Sequence, residues 1–281
     1  MKKIQWFPGH MTTALREMEE NIKKVDLVIY VLDSRAPRSC LNPKFNEIIG
    51  NKPIIFVLNK ADLADETEVK KWEKYLSGAN VEVVSLVSTV NTGTKQVVLS
   101  MQKLLATKLE RNKKKGITMP LRAMVVGVPN CGKSTLINSL CGKYKAKTGD
   151  KPSVTKSTQW VKVAGNIELL DTPGTLWPAF TDDTLAHNLA YINAIKSEVL
   201  DITSLALDFI EFLLANYKDL FLSRYSIEEN VEFAPIDYYE ALCHSRGFLL
   251  RGGEVDWERG ANALLDDFRK GRLGKIMLDR L

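Results

Sequence analysis

An α/β fold, with a parallel sheet followed by a mostly helical region, is what this chain of 281 residues predicts. Three observations carry that expectation. Short apolar runs alternate with amphipathic segments through the first part of the chain, the order that builds parallel strands joined by helices. A glycine-rich stretch, Gly127–Ser134, lies between a strand-like and a helix-like segment. Beyond Pro178 the strand pattern stops and only helical spacing remains.

The elements follow in order. Leu15, Met18 and Ile22 sit at helical spacing within the polar segment Thr12–Lys24, which predicts a surface helix. Asp26–Leu32 is an apolar run suited to a buried strand, and Pro37 stops it after Asp33-Ser34-Arg35-Ala36. A short helix at Pro43–Ile49 precedes a second strand, Pro53–Leu58, that runs into Asn59-Lys60-Ala61-Asp62. Glu66–Leu76 reads as a helix, Val81–Val87 as a strand ending at Ser88-Thr89, and Thr94–Leu109 as a helix. Arg111–Lys115 with Gly116 reads as a basic linker. Leu121–Val126 is a strand, Thr135–Leu140 a helix, and Lys143–Thr158, which lacks periodicity, a long loop. The strands Gln159–Val163 and Ile167–Leu170 follow, the second ending in Asp171-Thr172-Pro173-Gly174. Helices are expected at Asp183–Ile195, Thr203–Asn216, Tyr238–Ser245 and Trp257–Lys270, which divides the chain into domains at 1–178 and 179–281.

Composition narrows the function classes. Hydrophobic residues make up 45% and charged residues 26%, ordinary globular usage. No apolar run is long enough to span a bilayer, and the two lysines near the start precede no signal core, so a cytoplasmic protein without a membrane partner is expected. Four cysteines without C-x-x-C spacing suggest neither a zinc ribbon nor a disulfide framework. Charge is lopsided: residues 1–189 hold 28 basic and 18 acidic side chains, the remainder 11 and 16. The positive part suits a polyanion such as nucleic acid, or is simply a solvated linker and loop.

Chemistry concentrates in three motifs. In Gly127-x-x-x-x-Gly132-Lys133-Ser134 the glycines let backbone N–H groups wrap a phosphate chain, Lys133 reaches the terminal phosphates, and the Ser134 hydroxyl can ligate Mg2+. Asn130, Cys131, Gly132, Lys133, Ser134 and Thr135 are therefore candidate nucleotide contacts. Asp171, ending an apolar strand, suits a water-mediated contact to the same metal, and the Gly174 N–H can sense a γ-phosphate. In Asn59-Lys60-Ala61-Asp62 the Asp62 carboxylate can accept both hydrogens that guanine offers and adenine lacks; a buried carboxylate left unpaired costs on the order of several kcal/mol. Asn59 would tie this loop to the phosphate loop, Lys60 would lay its stem over the base, and Ser88-Thr89 would approach the guanine oxygen through backbone N–H.

The guanine motif precedes the phosphate loop, the reverse of the usual GTPase order. With Trp6-Phe7-Pro8-Gly9-His10-Met11, Asp33-x-Arg35, Asp171-Thr172-Pro173-Gly174-x-x-Trp177-Pro178 and the tail Phe268–Gly274, the chain resembles the circularly permuted GTPases of the bacterial ribosome biogenesis GTPase A (YlqF-type) family over nearly its whole length. The resemblance implies a P-loop GTPase domain with permuted motif order, an all-α C-terminal domain that meets RNA or the ribosome, and slow, Mg2+-dependent GTP hydrolysis. It also implies GTP and GDP as ligands, a late step of large-subunit assembly with the subunit precursor and its rRNA as partners, and a monomer. The alternatives are an RNA-binding factor using GTP as a placement signal, and a signalling GTPase with protein partners only.

Individual residues follow from the same resemblance. Thr175 stands where the water-positioning glutamine would fall, so His10 would orient the attacking water, or Trp6–His10 is a structural clasp. Thr155 matches the Mg2+-ligating threonine of the first switch, with Thr148 and Thr158 as alternatives. Asn130 matches the asparagine that holds K+, or simply suits a turn. Permutation makes the Asp171–Gly174 segment a lever on the C-terminal domain. His187 and His244, Trp72, Trp160 and Trp257 read as core, surface or packing residues, and Asp33 with Arg35 as a brace for a strand-end turn.

Overall fold

The computed structural model describes residues 6–90, 93–116, 118–142, 158–163, 166–178, 180 and 182–281. Strands β1 (Leu27–Asp33), β2 (Ile54–Asn59), β3 (Val81–Leu86), β4 (Leu121–Val126), β5 (Gln159–Val163) and β6 (Ile167–Asp171) form one sheet in the order β3-β2-β1-β4-β6-β5. All pairs are parallel except β5 with β6. Burial explains the strand composition: every residue of β1 is buried, as expected of a central strand covered by helices on both faces. Because the order runs outward in opposite directions from the β1–β4 pair, a crevice opens there at the carboxyl ends of the strands.

Helices α1 (Gly9–Asn21), α2 (Pro43–Ile49), α3 (Glu66–Leu76), α4 (Thr94–Leu104), α5 (Ala106–Lys114) and α6 (Lys133–Cys141) accompany the sheet. The starts carry recognisable caps: Asn42 accepts from the Lys44 amide ahead of Pro43, and Asp65 from the Glu68 amide. The basic segment expected to be a linker is instead the second half of α5, tied back to the sheet where Lys108 pairs with Asp26. A helix beginning after a break at Leu105 keeps these lysines on one exposed turn.

The C-terminal region is helical: α7 (Asp183–Tyr191), α8 (Ile202–Asn216), α9 (Lys218–Tyr225), α10 (Pro235–Ser245) and α11 (Trp257–Arg269). Helix α7 stops four residues earlier than expected, turning through Asn193 with φ 63°. Helix α9 was not expected at all, because Leu220, Phe221 and Leu222 are consecutive and show no helical spacing; Phe221, Leu222 and Tyr225 are its buried residues. The tail then crosses back to the sheet. Its Leu278 amide donates to Arg35 O, and Asp279 accepts from the Ser39 amide (2.7 Å), the Ser39 hydroxyl and the Asn188 amide. Trp72 donates its indole N–H to Asp279 O, so this tryptophan both packs and latches the tail. One hydrophobic core runs from Met11 through the sheet to Met277.

Candidate functional site

The motifs assemble at the carboxyl ends of four strands. Asn59 ends β2, Asp171 ends β6, Ser88 follows β3, and the loop 127–132 joins β4 to α6. The Asn59 side chain holds three of these segments at once. Its Nδ2 donates to Cys131 O (2.8 Å), while Oδ1 accepts from the Ser88 amide (3.1 Å) and the Ser88 hydroxyl (2.9 Å). Lys60 bridges the same two loops, its ammonium donating to Asn130 O at 2.8 Å. Two stretches far apart in the chain therefore meet. Gly132 makes the approach possible: a Cβ there would lie 2.1 Å from Asn59 Nδ2, at a backbone φ of 101°.

On the other side of the loop, Gly174 lies against it. A Cβ at this position would stand 2.7 Å from Pro129 Cα and 2.9 Å from Lys133 Nζ, so only glycine lets the Asp171–Gly174 turn sit on the loop. Lys133 is buried, 6% exposed, and its ammonium donates to Gly127 O (3.0 Å) and Val128 O (2.9 Å), which aims the charge into the loop. Thr172 Oγ1 donates to Val125 O and pins the end of β6 to β4.

The residues present fit a divalent cation. Asp171 Oδ2 lies 3.4 Å from the Ser134 hydroxyl, and Asp171 Oδ1 is buried without a hydrogen-bond partner among the described residues. Burial pushes the Asp171 carboxyl above its ordinary value, against the pull of Lys133. A desolvated carboxylate with an idle oxygen beside a hydroxyl is a donor set for a hard cation.

A model of the "50S ribosome-binding GTPase" family matches residues 122–232, and one described as "Ethanolamine utilisation - propanediol utilisation" matches residues 10–103. The first covers the phosphate loop and Asp171–Gly174 but not Asn59–Asp62. Ribosome biogenesis GTPase A of Priestia megaterium is 41% identical over 98% of this chain and 96% of its own length. The chain belongs to the ribosome biogenesis GTPase A family. The Bacillus cereus member is 40% identical over 98% of this chain and 93% of its own. A crystal structure of GNP-bound YlqF from Thermotoga maritima, 25% identical, shares the fold with a TM-score of 0.64 over 95% of this chain and 98% of that one.

Several site expectations change on the family's fold. Asp62 is exposed, in the short turn Ala61–Leu63 after β2, because the chain must leave the sheet there; it is not the buried carboxylate expected. The Ser88 amide is taken by Asn59, while Thr89 is exposed. Thr155 and Thr148 lie outside the described residues, as do the lysines of 143–157. Thr135 opens α6 beside Ser134, and Cys131 is a buried thiol whose carbonyl serves Asn59. Trp160 is 41% exposed with Arg122 over its ring, on the edge strand β5, rather than packed inside. His187, buried, contacts Asp183 O and Asp208, and Trp257 packs on Tyr239.

The N-terminal segment does reach the Asp171–Gly174 region: the Leu176 amide donates to Met11 Sδ at 3.4 Å. His10, one residue before, is exposed, and partial burial together with the Lys196 ammonium lowers its imidazole below the ordinary value. Asn130, in a left-handed turn, donates its Nδ2 to Asn193 O at 2.7 Å. Sequence reasoning missed Asn193, whose only signal is an asparagine ending an amphipathic helix.

Proposed function

We propose that this protein binds GTP and GDP with Mg2+, hydrolyses GTP slowly, and uses the cycle in a late step of large ribosomal subunit assembly. The observation that carries the reading is the pair of side chains, Asn59 and Lys60, joining the Asn59–Asp62 loop to the phosphate loop around one crevice. Within that crevice Lys133 neutralises phosphate charge, Ser134 and Asp171 would hold the metal, and Asp62 reads the base; Thr155, outside the described residues, is the proposed further ligand. The Gly174 N–H reports the γ-phosphate, and K+ at Asn130 would add charge at the same end. Residues 179–281 are the output: the chain leaves Gly174 directly for α7, so a turn that moves with the γ-phosphate moves the helical region. The exposed lysines at the end of α5 supply one face for rRNA.

The relatives named as ribosome biogenesis GTPases support the ribosomal setting. Turnover measured with and without large subunits, in potassium and in sodium, tests it. Stimulation by subunits is expected; a rate indifferent to subunits, together with no salt-sensitive co-sedimentation, removes the ribosomal role.

His10 is assigned to the attacking water. It accepts a proton only when neutral, so activity falls as pH drops through its pKa. Because burial and then Lys196 lower that pKa, the acid limb lies below that of an ordinary histidine. Lys196→Glu should move the limb to higher pH, and His10→Ala should abolish it while leaving GDP binding intact. A parent pH–rate profile in His10→Ala assigns Trp6–His10 to the clasp instead.

A further inference from the structure

Hydrogen bonds, an ion pair and two short lengths of chain form a circuit that begins and ends on Asn130. The Lys60 ammonium that donates to Asn130 O also pairs with Asp33 Oδ2 at 2.9 Å. Arg35 grips the same carboxylate in its plane, Nε to Oδ1 at 2.9 Å and Nη2 to Oδ2 at 2.8 Å. Its remaining nitrogen, Nη1, donates to Phe268 O (3.1 Å) and Arg269 O (3.3 Å) in the last turn of α11, where Phe268 O also accepts from the Gly271 amide. Arg269 in turn reaches the end of α7, donating to Ala190 O and Tyr191 O, both at 3.0 Å. Two residues further on, Asn193 O receives the Asn130 side chain.

A brace for a strand-end turn requires only the Asp33–Arg35 contact. Here the guanidinium is 1% exposed, stacked 4.6 Å over the Phe268 ring, and shared between Asp33, the carboxylate that pairs with Lys60, and a helix of the C-terminal region. Burial alone would raise the Asp33 carboxyl; Arg35 and then Lys60 hold it well below the usual range, so the circuit stays charged at every working pH. Only a planar fork can serve a carboxylate with two N–H groups and a helix end with a third.

We propose that Arg35 is a positioning residue for guanine nucleotide: seated by the end of α11, it fixes Asp33 and through it Lys60, so that docking of the helical region sets how tightly the base-side loop holds its ligand. This rests on the reading that Asn59–Asp62 takes guanine. Coupling of this kind is reciprocal, so nucleotide also tightens the helical region onto the sheet. A partner that pulls α11 away would loosen the nucleotide without touching it.

A double-mutant cycle on the full chain, read by titration with fluorescent GDP, tests the circuit. Arg35→Lys and Lys60→Met are each expected to weaken binding about 10-fold, with the double variant no weaker than Lys60→Met alone. Thermal unfolding verifies that each variant folds; if Arg35→Lys does not, Arg269→Lys, which contacts neither nucleotide loop, runs the same cycle. Multiplied effects, about 100-fold in the double variant, or an unchanged affinity in Arg35→Lys, overturn the proposal. Unchanged affinity in Lys60→Met instead overturns the guanine-loop reading on which it stands.

Discussion

Lys133→Met should lower GTP turnover by about 10²–10³, the cost of removing one preorganised positive donor from a developing anionic centre. The substitution keeps the apolar stem and the shape of the loop, and removes only the ammonium. That ammonium is buried, held by Gly127 O and Val128 O, and lies under Gly174. Low dielectric around a buried cation makes its field on bound phosphate stronger than that of a surface lysine. Separate measurement of GDP affinity and single-turnover rate distinguishes binding from chemistry. Turnover within a few-fold of the parent, in a folded protein, would exclude Lys133 from the phosphate end.

Asp62→Asn should weaken GTP binding about 10²–10³-fold and favour xanthosine triphosphate in its place. The carboxylate accepts from two guanine hydrogens, and hydrogen bonds to a charged group contribute about 1.5–3 kcal/mol each. Asp62 is exposed rather than buried, so solvent offsets part of the loss and the lower end of that range applies. An asparagine presents an N–H where the carboxylate presented oxygen, which suits the carbonyl that xanthine carries at the same edge. Equal competition by ATP, GTP and xanthosine triphosphate in the parent protein would show that this loop reads no base.

Much of this was legible along the chain, because the signals are local. The strands read as apolar runs, and Pro43–Ile49, Glu66–Leu76, Leu121–Val126 and Gln159–Val163 fall where pattern and punctuation put them. The inverted order of Asn59–Asp62 and Gly127–Ser134 already indicated a permuted GTPase domain, since each motif sits at a strand end that the sheet must bring to one edge. Helix α9 escaped because its apolar residues Leu220, Phe221 and Leu222 are consecutive and carry no helical period, and the end of α5 because its lysines mask the helical continuation.

What no stretch of sequence contains is the set of contacts between distant residues. Asp33 and Arg35 look like a turn brace, and they are one; that the third nitrogen of Arg35 reaches the last turn of α11, 233 residues away, depends on how the C-terminal helices seat. The same holds for Asn193 meeting Asn130, for Asp279 latching Ser39 and Asn188, and for the exposure of Asp62. Periodicity, capping and motif spacing determine elements and their chemistry because backbone hydrogen bonding and side-chain burial act over a few residues. Which loop meets which helix end is decided only when the whole apolar core closes, and that closure joins the nucleotide crevice to the helical region.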